Sequence, residues 1–115
     1  MDVHEVAADE RQGLTDRLLG DEQIHRAFQA TNTAVIFTDR RIITIQRNTL
    51  LSEKVETTSF SYRGVRQFSV LEGTPEESRS ELKIWIGADP QPLHLRAVGA
   101  TDLAPVQLLL ATKLH

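Results

Sequence analysis

The chain has 115 residues, which suits a single domain with one hydrophobic core. Its formal net charge of −3 at pH 7 argues against nucleic-acid binding and against general attraction to anionic membranes, since both depend on an excess of basic residues. It has no cysteine, which excludes disulfides, thiolate metal ligands and cysteine nucleophiles and fits a reducing cytoplasm.

The first predicted element is a short helix over residues 7–19, where leucines recur at helical spacing. Gly20 follows at the position where many helices end in a left-handed residue. Gly13 weakens such a helix by about 1 kcal/mol relative to alanine, so a loosely packed arm is the alternative. We assign residues 1–20 to an N-terminal helical arm and residues 21–115 to the main body of one domain.

Beyond the arm, the apolar pattern changes from a helical period to strict alternation, as expected of strands with one buried face. Seven strands are predicted, over residues 24–28, 33–38, 42–46, 54–60, 65–70, 81–86 and 92–97. Residues 72–79 combine Gly, Pro, Ser and glutamates and are predicted to form a loop.

The last predicted element is an amphipathic helix. Thr101 or Asp102 is suited to cap its N-terminus, and Pro105 falls in the first turn, where the missing N–H does least harm. Its predicted apolar face consists of Val106, Leu109, Leu110 and Leu114. Several short strands followed by such a helix predict a mainly β sandwich or barrel that the helix caps.

Four motifs, in order along the chain, carry a family resemblance. They are Leu18-Leu19-Gly20-Asp21-Glu22 leading to Ala27-Phe28, Phe37-Thr38-Asp39-Arg40-Arg41-Ile42-Ile43, Ser59-Phe60-Ser61-Tyr62 with Phe68-Ser69-Val70, and Glu81-Leu82-Lys83-Ile84-Trp85-Ile86. With these motifs the chain resembles the bacterial pleckstrin-homology (PH) domains, long catalogued as a domain of unknown function. The resemblance implies a PH-like seven-stranded barrel or sandwich, capped by a C-terminal α-helix and preceded by a short N-terminal helix.

Lipid-headgroup binding is not expected from the basic residues. Eukaryotic PH domains that bind inositol phosphates present several Lys and Arg around the loop between their first two strands, whereas residues 30–33 hold none and follow a lone Arg26. The adjacent pair Arg40 and Arg41 could grip a phosphate or a carboxylate. We favour a solvated hairpin turn beside Asp39 for this pair.

Trp85 is the leading candidate for an interaction residue. If Ile84 and its apolar neighbours face the core, Trp85 faces outward, and an exposed indole is a common interface anchor. The alternative is that a partner sheet or the N-terminal helix covers it. Leu50 and Leu51, adjacent in a predicted loop, are a second candidate patch, unless one of them folds back onto the core.

The residue pattern does not predict an enzyme. The four histidines are scattered, with no spacing typical of a metal site, and neither a phosphate-binding loop nor a nucleophile elbow is present. We expect no cofactor and no metal. The acidic start lacks the pattern of a signal peptide, and no apolar run approaches the ~20 residues that span a bilayer, so a cytoplasmic location is expected.

The leading functional hypothesis is a non-catalytic interaction module that binds protein, above all copies of itself, through Trp85 and its strand. The family's small domains lend themselves to homo-oligomers, including rings, in which subunit contacts cover exposed sheet edges. The alternative is a weak module for anionic ligands or membrane surfaces that uses Arg47 and Lys54 beside Leu50 and Leu51.

Overall fold

The computed structural model describes residues 1–48, 54–98 and 101–114, which form one curled β-sheet and an α-helix. The strands are β1 (Asp2–Glu5), β2 (Ile24–Gln29), β3 (Thr33–Thr38), β4 (Arg41–Asn48), β5 (Lys54–Ser61), β6 (Val65–Leu71), β7 (Ser80–Ile86) and β8 (Leu93–Ala97). Helix α1 spans Ala104–Lys113, and short 3-10 helices occupy Ala8–Glu10, Gln12–Arg17 and Tyr62–Gly64.

The sheet consists of two antiparallel meanders joined by one strand. Its order is β5-β4-β3-β2-β1-β8-β7-β6. The first meander runs from β2 to β5 and the second from β6 to β8. Between them lies β1, antiparallel to β2 and parallel to β8. In the part of the chain that the structure describes, no other strand pairs with both meanders.

The main core lies between the inner face of the curled sheet and α1. Both meanders, β1 and α1 contribute to it, because alternate residues of each strand point to the same face. The rings of Phe28 and Phe37 meet edge to face with centroids 6.0 Å apart. The buried members of the core are Val3, Phe28, Val35, Phe37, Ile42, Tyr62, Val65, Leu82, Ile84, Leu95, Leu103, Val106 and Leu110.

A second, smaller apolar cluster covers the outer face of the first meander. Its buried members, contributed by β2, β3 and β4, are Ala27, Ala34, Ile36, Ile43 and Ile45. Val6, Leu14 and Leu18, from the segment between β1 and β2, pack against this cluster and are half-buried. Strand β3 is therefore covered on both faces, by the main core and by the N-terminal segment.

The predicted fold is confirmed, with one additional strand. All seven predicted strands are present with ends shifted by at most two residues, and α1 follows them. Strand β1 was not predicted because Val3 is its one aliphatic residue, so the strand shows no alternation. The predicted N-terminal helix is present as two 3-10 helices, the second of which contains Gly13.

Two details of α1 differ from the prediction. Leu103 occupies the N-cap position, one residue beyond the predicted Asp102, although the Asp102 carboxylate Oδ1 still accepts the N–H of Ala104 at 2.9 Å. Leu114, the C-cap residue after the last helical residue Lys113, is 41% exposed rather than part of the apolar face.

Leu110 and Leu108 offer a matched test of how α1 is seated. Leu110→Ala removes a fully buried side chain from the core and is expected to lower the free energy of unfolding by about 2–5 kcal/mol. Leu108 is 68% exposed, so Leu108→Ala is expected to change it by less than about 0.5 kcal/mol. Urea unfolding followed by circular dichroism measures both. Equal losses would contradict the seating of α1 through Leu110.

Candidate functional site

Trp85 lies in β7, on the outer face of the second meander. The predicted alternation is confirmed, because Leu82 and Ile84 are completely buried in the core while Trp85, on the opposite face, is half-buried. The N-terminal segment does not cover the indole, since it packs on the first meander through Leu14 and Leu18. Strand β7 has β6 and β8 on its two sides. Trp85 can therefore meet a partner through the face of the sheet but not through its edge.

The side chains around Trp85 form an amphipathic surface of mixed charge, which we call the β7 face. His94 Nε2 lies 2.6 Å from Glu81 Oε1, and Arg96 Nε lies 3.5 Å from Asp2 Oδ1. Glu81 and Asp2 thus offset part of the positive charge of this surface. By strand register its members are Gln67, Ser69, Leu71, Glu81, Lys83, Trp85, His94 and Arg96. This surface presents an aromatic ring among side chains of both charges, without a dense cluster of basic residues.

Arg47 and Lys54 lie at the end of the β4–β5 hairpin where the chain passes from one strand to the other, beside a cleft of about 670 Å³. Arg47 pairs in register with Val55, whereas Lys54 pairs with Asn48, so the two basic side chains start from opposite faces of the hairpin. Glu56 lines the same cleft and offsets part of their charge. The two residues therefore line the same cleft, but their side chains do not converge on one binding point.

The remaining candidates do not join these surfaces. Leu50 and Leu51 lie outside the described residues. His25 is exposed on β2, and β1 separates that strand from His94 on β8. Within residues 1–48, 54–98 and 101–114, no group of three or more His, Asp or Glu is arranged to hold a metal ion. No helix in these ranges is both long enough and apolar enough to cross a bilayer.

Arg41 is the centre of a partly buried polar network, so a solvated turn was the wrong interpretation for it. Its guanidinium donates to both carboxylate oxygens of Glu22, at 2.9 and 3.0 Å. It also donates to the Arg17 carbonyl oxygen and to Ser59 Oγ, at 2.9 and 2.8 Å. Arg41 does grip a carboxylate, as one interpretation proposed, but the carboxylate belongs to this chain. Neighbouring Arg40 forms a more exposed pair with Asp21.

The network holds its groups in fixed protonation states. Thr38 Oγ1 also donates to Glu22, at 2.6 Å, and the bonds from Arg41, opposed by desolvation, hold the pKa of Glu22 at about 2. The same pair raises the pKa of Arg41. Tyr62 donates its hydroxyl to the Thr38 carbonyl oxygen, and burial, together with the charges of Asp39 and Glu22, raises its pKa. None of these groups is therefore poised to exchange protons near neutral pH.

The sequence motifs contained a signal for this network, although the distribution of charged residues did not indicate it. Glu22 and Arg41 fall in two separate segments of the family resemblance. The structure shows why the segments belong together, since the Glu22–Arg41 pair ties the entry of β2 to the β3–β4 hairpin. By contrast, the ion pairs around Trp85 carried no signal, because Asp2 reaches Arg96 only through the pairing of β1 with β8.

Comparison with protein families gives a match over nearly the whole chain. A family model described as bacterial PH domain matches residues 2–114. The uncharacterized protein YjqA of Bacillus subtilis is 33% identical over 75 residues, which cover 65% of this chain and 60% of YjqA. The matched region thus spans less than two thirds of that relative.

Solved structures share the fold. A DUF1696 family protein with a pleckstrin-homology domain from Shewanella loihica superposes with a TM-score of 0.72 at 28% identity, covering 99% of this chain and 98% of its own. A pleckstrin-homology domain from Shewanella amazonensis gives 0.65 at 26% identity, covering 93% and 96%. A PH domain containing protein from Exiguobacterium sibiricum gives 0.74 at 15% identity, covering 99% of this chain and 63% of its own, and supports the fold alone.

The Glu22–Arg41 pair predicts a specific dependence of stability on pH. Because the pKa of Glu22 falls from 4.5 to about 2 on folding, the pair stabilises fully above pH 4.5 and its contribution disappears as the pH falls towards 2. Glu22→Gln is expected to lower the free energy of unfolding at pH 7 by roughly 2–4 kcal/mol and to flatten its decline in that pH range.

Asp21→Asn is the matched control, since the Asp21 side chain is 77% exposed and its pair with Arg40 is expected to contribute less than about 1 kcal/mol. Urea unfolding at a series of pH values between 7 and 2.5 measures both variants. If Glu22→Gln keeps the same decline as the parent protein, the assignment of that decline to Glu22 is wrong.

Proposed function

The chain belongs to the bacterial PH domain family, and on this premise we propose that it is a non-catalytic interaction module that binds protein, first of all further copies of itself. The observation that carries the proposal is the open sheet. In the described ranges β5 pairs with β4 alone and β6 with β7 alone, so each meander ends in a strand with one unpaired edge. Unpaired edges of this length are templates for pairing with another chain.

The side chains of the two edge strands support the same proposal. Val55 on β5 is 41% exposed and Leu71 on β6 is 61% exposed, so each edge presents an aliphatic residue to solvent. The edges differ in sequence, and pairing β5 of one copy with β6 of the next is a head-to-tail contact that can close into a ring. The β7 face, with Trp85, adjoins the β6 edge and can add contact area through the face of the sheet.

The solution mass, measured by light scattering over a dilution series, tests this proposal. We expect a stable multiple of 12.9 kDa, and we expect Trp85→Glu to reduce it, because a buried interfacial carboxylate without a partner is unfavourable. His25→Glu is the matched control, since it adds the same charge at an exposed site on the other meander.

A monomer at all concentrations would refute the proposed self-association. In a proven oligomer, unchanged mass and thermal stability in both Trp85→Ala and Trp85→Glu would remove Trp85 from the interface.

A second candidate, from another class, is weak binding of anionic ligands or membrane surfaces. The cleft of about 670 Å³ that includes Arg47 and Lys54 favours it, and Glu56 in the same cleft weighs against it. If it is correct, the protein co-sediments at low salt with vesicles containing anionic lipid, and Arg47→Glu with Lys54→Glu abolishes the binding. Neutral phosphatidylcholine vesicles are the control. Absence of binding to anionic vesicles at low salt would remove this candidate.

A further inference from the structure

Strand β1 occupies a slot between β2 and β8 that is complementary to an acidic extended segment. Arg26 of β2 forms an ion pair with Glu5, and Arg96 of β8 lies 3.5 Å from Asp2. Between these two carboxylates the side chain of Val3 enters the main core and is 2% exposed. The slot is therefore complementary to a four-residue strand with an acidic residue at its first and last positions and an aliphatic residue at its second. The strands on its two sides, β2 and β8, each contribute one arginine.

We propose that this slot accepts residues 2–5 of a second copy of the chain, so that copies exchange their β1 strands. The occupant is the segment whose charges and single aliphatic residue already fit the slot. In an exchanged assembly every contact of β1 is remade between copies, and the new cost lies in the ordering of the chains and in the connecting segment.

The attachment of β1 within its own copy is limited. Backbone hydrogen bonds from Arg96 to the Met1 carbonyl and from Val98 to the Val3 carbonyl, at 2.8 and 2.9 Å, join it to the second meander. On the other side it pairs with β2 over two registered residues, His4 with Gln29 and Glu5 with Phe28. Val3 is its one buried side chain. A strand held by one buried side chain, two ion pairs and short ladders has fewer bonds to break than the strands of the meanders, and the incoming β1 of a second copy restores the closure of the sheet.

The connection between β1 and β2 is suited to such an exchange. Residues 6–23 hold two 3-10 helices without a buried residue in either. They rest on the outer face of the first meander through half-buried side chains, among them Leu14 and Leu18. Arg17 and Glu22 stay bonded to Arg41, so the part of this segment that can leave the face without breaking that network is residues 6–16. At full extension these 11 residues span up to about 40 Å, comparable with the largest dimension of the folded chain, 39 Å.

This inference rests on the proposed self-association, which supplies a high local concentration of second strands. Within a single copy, the tether gives β1 an effective concentration that free copies in dilute solution do not reach. In copies held together by their sheet edges, the β1 strand of a neighbour also reaches a high effective concentration at the slot, so it can compete with the chain's own β1. Exchange then adds a covalent continuity between neighbours that edge pairing alone lacks.

Disulfide trapping tests the exchange in the full chain, which has no cysteine of its own. His4 and Gln29 are registered partners on β1 and β2, so His4→Cys and Gln29→Cys are placed in separate chains. The two proteins are unfolded together, refolded at several concentrations and oxidised. Thr33→Cys and Gln46→Cys form the matched control, because they are registered partners on the interior strands β3 and β4, a ladder that β1 exchange leaves intact and that lies outside the β7 face.

Exchange predicts a covalent species of twice the 12.9 kDa chain mass for the first pair, increasing with protein concentration, and none for the control pair. Both cysteines in one chain, His4→Cys with Gln29→Cys, establish that the geometry permits a disulfide. If that variant forms its disulfide while the mixed chains do not, or if the control pair links equally, the inference is overturned.

If the Gln29→Cys variant fails to fold, Asp2→Cys and Arg96→Cys replace the first pair in the same trapping experiment, because they are registered partners on β1 and β8. Light scattering on the same samples separates the two proposals. An oligomer without the covalent species retains self-association and rejects strand exchange, whereas a monomer without it rejects both.

Discussion

The closure of the sheet depends on one four-residue strand. β1 pairs with β2 on one side and with β8 on the other, and the described residues contain no other hydrogen-bonded ladder between the two meanders. The main core needs this closure, because Phe28 and Phe37 from one meander share it with Leu82 and Ile84 from the other. Burial of each such side chain contributes about 1.5–3 kcal/mol, so separation of the meanders would remove a large part of the folding free energy. The position of α1 and the orientation of the β7 face also depend on how β1 joins the two meanders, because α1 packs on the core that they share.

A second organising feature is that the chain binds most of its own arginines. The guanidinium of Arg41 spans Glu22 and two further acceptors, and Arg40 pairs with Asp21. Side chains engaged in the same way are those of Arg11, Arg17, Arg26, Arg66 and Arg96. Binding a polyanion at these positions would require breaking internal bonds that the fold uses. These arginines are therefore committed to the fold, and the proposal of binding through sheet edges does not depend on them.

The fold could be read from the sequence wherever neighbouring residues carried the signal. In β7, Leu82 and Ile84 alternate with Lys83 and Trp85, and both the strand and its buried face followed from that spacing. The C-terminal helix followed likewise from Val106 and Leu110. Strand β1 could not be read, because one aliphatic residue between polar neighbours is typical of a loop. What makes Asp2–Glu5 a strand is the pair of exposed edges that β2 and β8 offer it.

The sequence by itself determined the family, the seven alternating strands, the closing helix and the outward direction of Trp85, because period and motif are properties of residues close together in the chain. Only the tertiary structure decided which strands lie at the edges of the sheet, and which residues Asp2 and Arg41 meet as ion-pair partners. It also decided that Trp85 stands on an interior strand and that Arg47 and Lys54 point apart. Partners distant in the chain are selected by register and by burial of a shared core, and neither of these is encoded in any single short segment.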